Sequence, residues 1–171
     1  MKIPDRYVIF DLETTGFSPQ YAEIIEIGAV RVENGRITAK FQSYVKPAGR
    51  IPSNITALTG ISERQTASAP RIDTVFYDFK QFIGSDILIA HNSSFDCRFL
   101  AAVCGMLCET LKNPVLDSVQ MAKAYIKGVE NYKLETLKKH FGINLASHNA
   151  LDDCTVTSSV VEYCRRKQNG N

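Results

Sequence analysis

Two acids two residues apart close an apolar run, Asp11 and Glu13 in Tyr7-Val-Ile-Phe-Asp-Leu-Glu13. The run is rich in β-formers, and the two-residue period of a strand turns both carboxylates to one face, where they can grip the same cation. Asp96, His148 and Asp153 follow, giving four acids and one histidine spread over the chain. Oxygen-only ligation by carboxylates suits Mg²⁺ or Mn²⁺. Two such ions about 4 Å apart can hold the attacking and leaving oxygens of a phosphodiester displacement. Imidazole is the side chain suited to take a proton from water near neutral pH.

Asp96 sits in His91-Asn-Ser-Ser-Phe-Asp96, at an expected strand-to-helix junction where Ser93 or Ser94 would cap the helix. An acid in a first turn also has a plain electrostatic explanation, so its company carries the argument. The adjacent Asp152 and Asp153 are separated by helical geometry. The apolar stripe Ala150, Cys154, Thr157, Val161 and Cys164 has 4-3-4-3 spacing. At about 100° per residue, Asp153 lies roughly 60° from its centre and Asp152 roughly 160° away, toward water. His148 precedes this helix on a loop.

These residues need a scaffold that 171 residues and 44% hydrophobic composition can supply as one domain, residues 1–171. Strands are expected near 6–13, 23–33 and 36–46, the last two joined by an Asn34-Gly35 hairpin turn. Residues 47–70 read as an irregular connection with one helical turn at 55–58. Helices follow near 71–83, after residues 91–94 to about 108, at 118–126, 133–141 and 149–167, with short strands at 86–90 and 114–116 between them. The pattern is α/β: a mixed sheet, antiparallel first and parallel later, with helices on both faces.

A net charge of +2 makes bulk attraction to nucleic acid weak, so binding must come from metal and local charge. Five cysteines at 97, 104, 108, 154 and 164 lack paired spacing and imply free thiols in a reducing, cytoplasmic setting. Cys97, Cys104 and Cys108 read as a buried helical stripe and not a zinc site. No apolar run reaches membrane-spanning length, and no targeting segment is expected. Arg165-Arg-Lys167 and Lys138-Lys139 read as solvated, helix-end charge, and His140 receives no role.

Phe10-Asp-Leu-Glu-Thr-Thr-Gly16, His91-Asn-Ser-Ser-Phe-Asp96 and His148-Asn-Ala-Leu-Asp-Asp153 resemble the three motifs of the DEDDh, or DnaQ-like, 3′-to-5′ exonucleases. The chain is especially similar to the proofreading exonucleases of bacterial replicative polymerases. Leu58-Thr-Gly-Ile61, Asp117-Ser118 and Tyr132-Lys-Leu-Glu-Thr-Leu137 extend the resemblance over nearly the full length. It implies an RNase H-like fold with a five-stranded mixed sheet. It also implies Asp11, Glu13, Asp96 and Asp153 around two Mg²⁺ or Mn²⁺ ions, with His148 as general base. Leu12, Thr14 and Thr15 would line the terminal-nucleotide pocket, with Leu58, Ile61, Asn92 and Phe95 as further base or sugar contacts.

The expected substrate is the 3′ end of single-stranded or frayed DNA, released as nucleoside 5′-monophosphates. RNA trimming on the same fold is the alternative, and a non-catalytic docking module for nucleic acid or a polymerase complex is the alternative of another class. Retention of all five active residues argues against the last. A DNA polymerase or another DNA-processing complex, such as CRISPR spacer acquisition, is the expected setting.

Overall fold

The computed structural model describes residues 2–170. Its centre is β1 (Arg6–Thr14), flanked by β2 (Ile24–Glu33) and the parallel β4 (Leu88–Ala90) in a five-stranded sheet of order β3-β2-β1-β4-β5. β3 (Arg36–Tyr44) and β5 (Val115–Asp117) are the edges. β1 pairs antiparallel with β2 and β2 with β3, whereas β4 and β5 are parallel neighbours. The mixed sheet therefore matches the expectation. Asn34 at φ 51° and Gly35 at φ 77° form the tight β2–β3 turn, because a primed turn needs both central residues at positive φ.

A central strand covered on both faces should read as a continuous apolar run, as residues 7–10 do. Val8, Phe10 and Leu12 join α3 (Ile72–Ile83) and α4 (Ser94–Leu107) in one core layer. Tyr7 and Ile9 join α5 (Ser118–Tyr125), α6 (Leu134–His140) and α7 (Ala150–Gln168) in the other. The predicted stripe on α7 is buried throughout, from Ala150 to Cys164. β3 alternates between exposed and half-buried, as suits an edge.

Three expectations need correction. The 47–70 connection holds two short helices, α1 (Ser53–Thr59) and α2 (Glu63–Thr66), where one helical turn was expected. Its Ser/Thr-rich composition reads as loop, but Ile51, Ile55 and Ile61 bury against Ile25, and this tertiary packing outweighs weak local propensity. Neither Ser93 nor Ser94 caps α4. The chain enters that helix from a left-handed turn at Asn92, φ 63°, whose N–H is held by Asp117 Oδ1 at 3.2 Å, and Ser93 already has helical φ and ψ, unlike the extended backbone of a capping serine. The thiol stripe is only partly buried: Cys97 and Cys104 are half-buried, and Cys108 is exposed at the end of α4. All five cysteines are free. Among the described residues, no helix is long and apolar enough to cross a membrane.

Candidate active site

The chain directions around β1 bring distant segments to one end of the sheet. β1 and β4 run parallel, so β1 delivers Asp11 and Glu13 near the turn after β4 that feeds α4 and Asp96. The register shifts between Glu13 and Thr14, an irregularity that re-aims the strand as it enters the site. The opposite face receives the first turn of α7. Its N-cap Asn149 accepts from Asp152 N at 3.0 Å, and Asp153 lies one residue beyond.

Asp11, Glu13, Asp96, His148 and Asp153 all line one cavity of about 220 Å³. Leu12, Thr14, Leu58, Asn92 and Phe95 share its wall, together with Gly16, Phe17, Ile55, Thr59 and His91. Two expected contacts stand elsewhere. Ile61 is 2% exposed within the isoleucine cluster. The Thr15 hydroxyl accepts from Glu23 N at 2.9 Å and closes the β1–β2 loop. Asp152 is half-buried, yet it does not line the cavity.

Buried carboxylates dominate the electrostatics. Asp11 is held well above the carboxylate range, by burial first and then by Asp96, Glu13 and Asp153. Burial, with Asp153, Glu26 and Asp96, pushes Glu13 up to about 8. Burial lifts Asp96 to about 7, against the N–H of Leu12, which donates to Asp96 Oδ1 at 3.2 Å. Burial lifts Asp153 to about 6, opposed by His148 N donating to its Oδ2 at 3.0 Å.

Like charges crowded in a desolvated cavity are stable only if protonated or neutralised by a cation. Glu13, His148 and Asp153 offer ligand atoms within 4.8 Å of one another, a group that could hold a metal ion. This grouping adds the imidazole to the expected all-carboxylate set. An oxygen-rich donor set in a shared cavity fits a hard divalent cation.

Several residues here escaped sequence reasoning. Glu26 is fully buried opposite Glu13 on β2, its Oε1 accepting from Gln42 and its Oε2 from Ala150 N. In an apolar strand it carried no spacing signal. Phe17 is 79% exposed at the cavity edge, and only its place just after Gly16 hinted at this. The His91 ring lies 2.8 Å from Ser118 Oγ and 2.9 Å from the Tyr132 carbonyl. A carbonyl only accepts, so Nε2 carries the proton and Nδ1 accepts from Ser118. His91 thus ties β4 to α5 and the segment before α6. Lys138, expected in solvent, is half-buried on the chain leading to His148.

The exonuclease family profile RNase_T matches residues 8–161. A PolC-type DNA polymerase III of Clostridium perfringens is 40% identical over 164 residues, 95% of this chain and 11% of that protein. The Bacillus subtilis PolC-type polymerase is 40% identical over 157 residues, covering 90% and 11%. The chain therefore spans about a tenth of these relatives. Among solved structures, exonuclease X in complex with 5′-overhanging duplex DNA has a TM-score of 0.78 at 26% identity, covering 96% of this chain and 93% of that one. The nuclease domain of 3′hExo, a DEDDh family member bound to rAMP, shares the fold with a TM-score of 0.80 at 23% identity, covering 97% and 93%.

Proposed function

From the premise that the chain belongs to the DEDDh exonucleases, with their RNase H-like fold, we propose that it removes nucleotides from the 3′ end of single-stranded or frayed DNA. The products are nucleoside 5′-monophosphates. The observation that carries this reading is the convergence of all four acids and His148 on one small cavity.

In this reading Asp11, Glu13, Asp96 and Asp153 hold two divalent cations, Mg²⁺ or Mn²⁺. When bound, these supply Lewis-acid stabilisation of the phosphoryl oxygens and a more acidic water. His148, exposed at the cavity edge, takes the proton of the attacking water. Leu12, Thr14, Asn92 and Phe95 shape the wall for the terminal nucleotide, and Leu58 and Phe17 offer apolar surface at its mouth. Removing a base from a duplex costs a few kcal/mol of pairing and stacking, so frayed ends are cut faster than paired ones. DNA is favoured over RNA because the 40%-identical relatives are named as DNA polymerases. By the same reasoning we place the chain beside a polymerase; another DNA-processing complex, such as CRISPR spacer acquisition, is the alternative setting. Faster removal of mispaired 3′ ends on addition of its replicative polymerase would support the first setting, and no change would count against it.

The test compares a 5′-labelled linear 3′-OH strand, the same strand with a bulky 3′ block, a closed circle, and the matching RNA. Shortening of the linear DNA alone, dependent on Mg²⁺ or Mn²⁺, is expected. Efficient cutting of the circle makes the protein an endonuclease. Preference for RNA selects the RNA-trimming reading, and no cutting of any strand selects the docking module.

The acid cluster also predicts an unusual stability profile. Unfolded carboxylates titrate near pH 4, so between pH 6.5 and 8 the metal-free folded state binds more protons than the unfolded one. Stability in EDTA therefore falls as pH rises through this window. The buried His91, held below the usual imidazole range, pulls the other way up to about pH 7 and flattens only the low end of this window. Melting temperatures in EDTA at pH 6.5, 7.2 and 8 check the slope, which saturating Mn²⁺ should remove. A rise in EDTA would contradict the protonated cluster.

A further inference from the structure

We propose that Lys138 is a positioning residue for His148, acting through the chain that enters it; this rests on His148 being the base named above. His148 adopts a left-handed backbone conformation, φ 59°, where a side chain with a Cβ is strained. Such a conformation persists when its surroundings over-determine it.

Side chains provide that constraint on both flanks. On the entry side, Lys138 Nζ donates to the Leu145 carbonyl at 2.9 Å and to the Ser147 hydroxyl. It pairs with Glu135 Oε2 at 3.2 Å, and Ser147 Oγ donates to the same carboxylate at 2.6 Å. The Lys138 side chain is only 12% exposed, so its ammonium is committed to these partners. On the exit side, Glu26 accepts from Ala150 N at 3.2 Å and from Gln42 Nε2 at 2.7 Å. Residues 145–150 are thus held by a cation before His148 and an anion after it. The exit anchor grips the first turn of a long, buried helix. His148 N itself donates to Asp153 Oδ2 at 3.0 Å on that helix, so the exit side is held by α7 and the irregular entry side is held by Lys138.

A base must lie within hydrogen-bond reach of the proton it removes, and a misplacement of about 1 Å can cost about 10²-fold in rate. Lys138→Met is therefore expected to slow the chemical step by about 10- to 100-fold. Binding of single-stranded DNA in Ca²⁺ should stay within about twofold, because no residue lining the cavity is changed. Ser147→Ala removes one anchor bond and leaves the Leu145 contact, so a few-fold slowing is expected with little risk to folding.

The deciding measurement is a double-mutant cycle in single-turnover rates. His148→Ala alone should slow the reaction by about 10²- to 10⁴-fold, and adding Lys138→Met should then cost nothing more. The same fold-loss from Lys138→Met in both backgrounds means a general structural role and overturns the proposal. Slowing in His148→Ala without slowing in Lys138→Met or Ser147→Ala sinks the positioning role alone. An unaltered His148→Ala sinks the base assignment, and this inference with it.

Discussion

An Asp11→Asn variant is expected to lose at least about 10³-fold in hydrolysis and, without metal, to melt at a higher temperature than the parent. Both effects have one cause. Asp11 is half-buried on the cavity wall, where desolvation is the first cost of its charge and Asp96, Glu13 and Asp153 add to it. The amide keeps the carboxylate's shape while removing a charge that otherwise needs a proton or a cation to balance it. In the proposed two-metal site, losing the Asp11 carboxylate removes several kcal/mol of transition-state stabilisation, at about 1.4 kcal/mol per tenfold in rate. The same substitution relieves repulsion in the empty cluster. Asp152→Ala, outside the cavity, should be nearly silent. Assays on 5′-labelled DNA and melts in EDTA check both halves. Activity within tenfold of the parent removes Asp11 from the metal site, and a lower melting temperature shows that repulsion is not what the cluster stores.

Gly28→Ala should cripple the enzyme without touching any acid. Gly28 pairs with Asp11 across the sheet, and the start of α7 rests directly on it. A Cβ there would lie 2.5 Å from the Ala150 carbonyl carbon, 2.6 Å from Leu151 N and 2.7 Å from Ala150 O. All three are backbone atoms, so no side chain can swing aside and the helix must shift. Overpacking of this kind costs about 1–3 kcal/mol. The shift carries Asp153 and His148 away from Glu13, so single-turnover hydrolysis should fall by about 10²-fold or more, well below the melting temperature. Mn²⁺ affinity should fall with it. Parent-like rate and affinity would mean that α7 tolerates displacement and that its contact with Gly28 does not set the site.

Much of this was legible in the residue order because it rests on local periodicity. Alternation placed Asp11 and Glu13 on one face of β1, the α7 stripe separated Asp153 from Asp152, and Asn34-Gly35 announced its turn by the φ values it requires. The motifs show in one dimension because metal ligands must be particular residue types at spacings that a strand or a helix end imposes.

Other features depend on segments far apart in the chain. Glu26 looks like an ordinary strand residue until Ala150, 124 positions later, donates to it. Ile61 lies beside a family-like Thr-Gly pair, yet its burial against Ile25 takes it out of the cavity. Lys138 reads as surface charge because nothing local shows that residues 145–147 fold back over it. Residue types and their spacing pick out the side chains suited to the chemistry and the elements that bear them. Packing decided which of them meet, how far burial lifts their carboxyls, and which neighbours hold them, since desolvation and close contact depend on the whole chain's arrangement.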